Sequence, residues 1–113
     1  MSKNDAVYIQ HILERIERIQ SFIYGKSLDD FEQSLLLQDA IVRNFEVMGE
    51  ATKNLTSEFR RTHSHIPWKS IAGTRDVLIH DYIKVDVKAI WLTVGNDLPP
   101  LRASLIELLA LIK

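Results

Sequence analysis

The chain has 113 residues, 46% apolar and 26% charged, with a net charge of −1; this is the balance of a folded globular domain, not of a disordered or strongly basic nucleic-acid-binding one. It contains no cysteine, which excludes disulfides and thiolate zinc sites and fits a reducing compartment. The start, "MSKNDAVYIQHILERIERIQ", lacks the apolar core of a signal peptide, and "LRASLIELLALIK" is too short to cross a bilayer, so the expectation is one cytoplasmic domain over residues 1–113.

Read in chain order, the pattern is helical throughout. Ser2 and Asp5 have capping-box spacing, and Ile9, Ile12, Leu13, Ile16, Ile19 and Ile23 then recur every three or four residues, which predicts a helix over about 4–24 that stops at Gly25. Ser27 and Asp30 repeat the capping pattern ahead of a short helix through Phe31. A long helix near 35–55 follows, with Leu36, Ala40, Ile41, Val42, Phe45, Val47, Met48 and Leu55 expected in the core. The segment "TSEFRRTHSHIPW" reads as a connection with one helical turn, after which Pro67 opens a helix over 68–82 that Gly73 can interrupt.

The last segment is the most regular. Val87, Trp91, Val94, Leu98, Leu101, Leu105, Leu108 and Ile112 form one seam that stays in phase through Pro99 and Pro100. Prolines break the hydrogen-bond ladder but unbroken phase keeps both halves on one core, so a kinked helix over about 86–112, capped by Asp86, is expected. Four main helices with short connections predict an all-α, antiparallel four-helix-type bundle with short additional helices.

Ionisable groups concentrate in "AGTRDVLIHDYIK", residues 72–84. Asp76 and His80 are four apart and share a helix face, where the carboxylate and the nearby helix end both favour protonated imidazole. Arg75 and Tyr82, seven apart, also share a face. Arg75 and His80 are five apart, about 140° around an ideal helix, so a second copy of the helix packed across a two-fold axis would bring them together better than one helix can. From Phe59 to Arg75 the chain holds Arg60, Arg61, Lys69, Arg75, His63 and His65 and no acid. That segment is either a positive surface feeding the motif or a basic loop balanced by acids in space.

Other candidates are weaker. His63 and His65 offer two nitrogens, but no further ligand cluster lies nearby, so no metal site is expected. Gly49 is costly inside a helix by about 1 kcal/mol, which suggests close helix approach; Glu50 beside it either reaches a cation such as Arg75 or Arg43 or pairs with Lys53. Trp68 and Trp91 read as core or dimer-interface anchors, and His11 as a boundary residue. No Gly-rich phosphate loop, paired catalytic carboxylates or nucleophile elbow is present.

"RDVLIHDY" fits R-x4-H-x-Y and resembles the HEPN superfamily. With "AIVRNFEVMGEATKNL", "IPWKSIAGTRDVLIHDYIKVD" and "IWLTVGNDLPPL" in the same order, nearly the whole chain is similar to the HepT toxins, ribonuclease partners of MntA-like minimal nucleotidyltransferases. The resemblance implies a HEPN-like helical homodimer whose paired motifs form one RNA-cleaving cleft without metal or other cofactor. It implies that Arg75 and His80 are the catalytic pair; Asp76 beside His80, and Glu50 beside Gly49, are expected in support from their positions alone. It also implies that Tyr82 accepts adenylyl groups (AMPylation) from the cognate nucleotidyltransferase antitoxin. Family members often have Asn after the motif arginine where this chain has Asp76, an acid that would repel RNA. The alternative to a toxin ribonuclease is a non-catalytic helical subunit that positions substrate for a separate nucleotidyltransferase; a purely structural dimer is the third reading.

Overall fold

A computed structural model describes residues 3–78 and 86–112, and side chains for 4–74 and 86–112. Helix α1 (Lys3–Ile23) presents Ile9, Ile12, Ile16 and Ile19 as one fully buried stripe, as their spacing predicts. Gly25 has φ 73°, in the left-handed region that suits glycine, and ends the helix where expected. Helix α2 (Leu28–Glu32) begins in a complete capping box: the Asp30 N–H donates to the Ser27 hydroxyl at 3.1 Å, and the Ser27 N–H donates to the Asp30 carboxylate at 2.9 Å. Phe31 is buried and meets Trp91 with ring centroids 5.6 Å apart.

The Ser27 backbone and then its side chain, by hydrogen bonding, hold the Asp30 carboxyl below its ordinary pKa. A depressed folded pKa means that the cap's contribution is present above the unfolded carboxylate value and is lost as pH falls through the folded one. The amide proton shift of Ser27 should therefore titrate on the acid side of the ordinary aspartate range, and Asp30→Asn should remove that titration.

Helix α3 (Leu35–Lys53) is capped by Ser34, whose hydroxyl accepts from the Leu37 N–H at 3.1 Å. Leu36 was expected in the core but is 82% exposed. The inward position is held by Gln38, two residues and so about 200° around the helix from it. The buried Gln38 amide donates to the carbonyls of Phe31 at 3.0 Å and Glu32 at 3.2 Å, closing the free end of α2. A polar side chain with that task outranks a leucine on the same turn.

The connection after α3 holds more helix than the one turn expected. Helix α4 (Ser57–Thr62) starts at Thr56, whose hydroxyl accepts from the Phe59 N–H at 3.1 Å. Thr56 is also fixed from α1. The Asp5 carboxylate, 1% exposed, accepts from the Thr56 N–H and from its hydroxyl, both at 2.9 Å, although the two residues are 51 apart. Of the Ser2–Asp5 pair, Ser2 lies outside the described residues.

Helix α5 (Trp68–Leu78) runs unbroken through Gly73. Pro67 stands one position outside its first residue, with its carbonyl accepting the Ile71 N–H at 3.0 Å. The expected continuation to residue 82 lies outside the described residues. Asp86 caps α6 (Val87–Asn96), accepting from the Ala89 N–H at 3.0 Å. The expected kink is a junction at Asp97, beyond which α7 (Leu98–Ile112) begins. Pro99 and Pro100 occupy the first turn of α7, where a missing N–H costs nothing. Val94, Leu98, Leu105 and Leu108 are all buried, so the seam does cross the junction in phase.

The described residues thus form an all-helical bundle of 43 × 29 × 19 Å. Helix α1 packs on α3 and α7, α3 on α5, α6 on α7, and α2 bridges α3 and α6. No described helix is long and apolar enough to cross a membrane.

Candidate functional site

Helix α5 carries Arg75 and Asp76 in its last described turn, so its seat on α3 positions the motif. Gly49 sets that seat. A Cβ built there would stand 3.1 Å from the Ala72 carbonyl oxygen and 3.6 Å from that of Ile71, both backbone atoms of α5. The close helix approach expected from an interior glycine is therefore made against the motif helix itself. Gly49→Ala should gain up to about 1 kcal/mol of helix propensity yet push α5 outward by tenths of an ångström. The expected result is a displaced α5 with little change in thermal midpoint, measured by crystallography and by calorimetry.

Beside this contact lies a groove of about 530 Å³ whose lining includes Arg43, Glu46, Glu50, Lys53 and Ala72. Those four charged residues of α3 recur at spacings of three and four and so share a face, both signs interleaved. Glu50 is exposed, and its carboxylate forms no ion pair with Arg43 or Lys53. Its reach to Arg75 falls on a side chain outside those described, as do the side chain of Asp76 and the whole of His80 and Tyr82. Arg43, Glu46 and Lys53 were not singled out together from sequence, although their spacing makes the charged stripe legible.

The remaining candidates fall to structural roles. Trp68 is 6% exposed and its indole N–H donates to the His63 carbonyl at 3.0 Å, so it anchors the core below α4. Trp91 is half-buried against the core, and His11 is exposed on α1. His63 packs on Phe59 with ring centroids 4.6 Å apart, while His65 lies 6.3 Å from His63. Among the described residues no group of three or more His, Asp or Glu could hold a metal ion.

Comparison with known proteins gives this arrangement a family. The profile described as "Ribonuclease HepT-like" matches residues 12–108, which takes in α3, α5 and the whole R-x4-H-x-Y motif. A Methanocaldococcus jannaschii protein named "Gamma-glutamylcyclotransferase and putative RNase" is 44% identical over 96% of this chain, which spans 49% of that protein's length. A Caldanaerobacter subterraneus protein named "Putative RNase" is 43% identical over 95% of this chain and 96% of its own. The "Probable ribonuclease HepT" of Thermococcus cleftensis is 40% identical over 90% of this chain and 93% of its own. No solved structure matches. With a family profile covering most of its length and relatives of its own size at this identity, the chain belongs to the HepT-like ribonuclease family.

Proposed function

We propose that this single helical domain is a metal-independent endoribonuclease toxin of a toxin–antitoxin pair, acting in the cytoplasm as a homodimer. The observation that carries the reading is the intact R-x4-H-x-Y sequence of Arg75, His80 and Tyr82 inside the family-matched segment, its arginine on the helix that Gly49 seats against α3.

In the proposed reaction two copies of the motif meet across a two-fold axis. The ribose 2′-hydroxyl attacks the adjacent phosphorus and loses its proton to a neutral His80 of one protomer. A protonated His80 of the other protomer gives a proton to the departing 5′-oxygen. The P–O5′ bond breaks as the P–O2′ bond forms, leaving a 2′,3′-cyclic phosphate and a 5′-hydroxyl. Histidine suits both roles because it titrates near neutrality. Arg75 holds the phosphate by paired hydrogen bonds and stabilises the charge that develops on its oxygens. Asp76, one turn before His80, favours the imidazolium form. Glu50, exposed on the neighbouring face of α3, is assigned a supporting part. End-group analysis of cleaved RNA tests the chemistry: cyclic phosphate ends that still form in EDTA are expected, and 3′-hydroxyl ends would refute it.

Control of the enzyme is assigned to Tyr82. An adenylyl group placed there by a cognate nucleotidyltransferase antitoxin would bring charge and bulk to the place an RNA phosphate needs. Mass spectrometry after co-expression should find the adenylyl mass on the peptide containing Tyr82. Tyr82→Phe should abolish that mass, keep cleavage within a few-fold of the parent and escape neutralisation.

The acid at Asp76, which would repel an RNA phosphate, favours the second reading, a non-catalytic subunit that positions substrate for a separate nucleotidyltransferase. Such a subunit would be harmless when expressed alone and would bind nucleotide or the partner enzyme.

A further inference from the structure

The basic segment read from sequence as either a positive surface or a balanced loop is folded into one groove. Helix α4 and the start of α5 bring together Arg60, Arg61 and Lys69, with Ser57, Ser64 and Ser70 between them, around an open volume of about 650 Å³. Arg61 and Lys69 are exposed and Arg60 is half-buried. None of the three forms an ion pair with another described residue, and the buried Nε of Arg60 has no acceptor. Glu58, the acid within α4, does not line the groove. Among the described residues no acid lines this groove.

The groove lies on the same helix as the motif arginine. Ala72 borders both this groove and the charged groove between α3 and α5, so the two adjoin at that residue of α5. Lys69 and Arg75 are about 9 Å apart along the axis of that helix and about 120° apart around it, so the groove flanks the motif rather than sharing its face. The indole of Trp68, which also borders the groove, is 6% exposed and bonded to His63, so no aromatic face is offered to a base there. Unpaired cations interleaved with hydroxyl donors suit phosphate oxygens more than base edges.

We infer that the α4–α5 groove is a backbone-phosphate subsite for single-stranded RNA, holding phosphates that flank the segment bound at the motif. The inference rests on the ribonuclease reading for its ligand, not for its geometry. Arg61 and Lys69 are positioning residues: they bind phosphates flanking the scissile one without touching the reacting atoms. Each phosphate contact on a single strand releases counterions and contributes about 0.7 to the slope of log affinity against log salt.

The test uses the full-length protein and a fluorescein-labelled, fully 2′-O-methylated 12-nucleotide strand, which lacks the internal nucleophile, so binding is read by anisotropy without cleavage. Arg61→Gln/Lys69→Gln, at two exposed positions, should weaken binding about tenfold at 50 mM salt and flatten the salt slope by roughly 1.4. Arg61→Lys/Lys69→Arg should restore most of both. The same affinity and slope in the glutamine variant as in the parent would overturn the inference. So would tighter capture of polyglutamate than of the oligonucleotide by the same two side chains, which would assign the groove to an acidic protein. Failure of the ribonuclease reading is distinguishable: a parent that cuts no RNA yet binds the strand through Arg61 and Lys69 keeps the subsite and loses the enzyme.

Discussion

Alanine at Arg75 or at His80 lowers RNA cleavage by about 10²–10⁴-fold as an expected result, with the thermal midpoint within a few degrees of the parent. The two losses have different physical origins. In the proposed reaction, removing His80 takes away the group that accepts and gives a proton near neutral pH. Removing Arg75 would, in the same reaction, leave the developing charge on the phosphorane oxygens without its proposed bidentate partner. Groups that act on one transition state are not additive, so the double variant should be little worse than the weaker single one. Single-turnover kinetics on a defined RNA, beside growth arrest on expression, measures both. Cleavage by either single variant at the parent's rate would end the catalytic assignment.

The second large effect is on stability and comes from a residue far from the motif. Asp5→Ala should lower stability by about 2–3 kcal/mol, because a buried carboxylate that accepts two hydrogen bonds is replaced by a void and the Thr56 donors lose their acceptor. In a domain of this size that corresponds to a fall in thermal midpoint of roughly 10 °C. Asp5→Asn keeps one acceptor and should cost less than half as much. Thr56→Val removes the hydroxyl that both donates to Asp5 and caps α4, so it should be comparably harmful. Combined with Asp5→Ala it should add little, because the pair shares one interaction. The readout is calorimetry of both single variants and of the double variant. Additive losses would show that Asp5 acts through some other contact.

Much of the bundle was legible in the sequence because its determinants are local. The α1 isoleucine stripe, the Ser27–Asp30 box, the Gly25 stop, the Asp86 cap and the α6–α7 seam each follow from residues within four positions of one another. The prolines misled only in degree: their phase was read correctly, but a junction at Asp97 placed them in a first turn where they need no donor. Leu36 was misplaced because periodicity counts apolar residues. It cannot see that Gln38, in satisfying two carbonyls of α2, takes the inward position.

The motif was legible from its residue types and spacing, and the close approach at Gly49 from the cost of glycine inside a helix. The target of that approach, α5, was not. By itself, then, the sequence determined the helices, their caps and buried stripes, and the chemistry-bearing run of Arg75, Asp76, His80 and Tyr82. Tertiary structure alone decided that Asp5 would hold Thr56, that Gly49 would seat the motif helix on α3, and that Arg60, Arg61 and Lys69 would line one groove. The reason is range: caps and periodicity act over one or two turns of a single helix. Which helices meet, and what their surfaces then enclose, depends on how all their buried faces are satisfied at once.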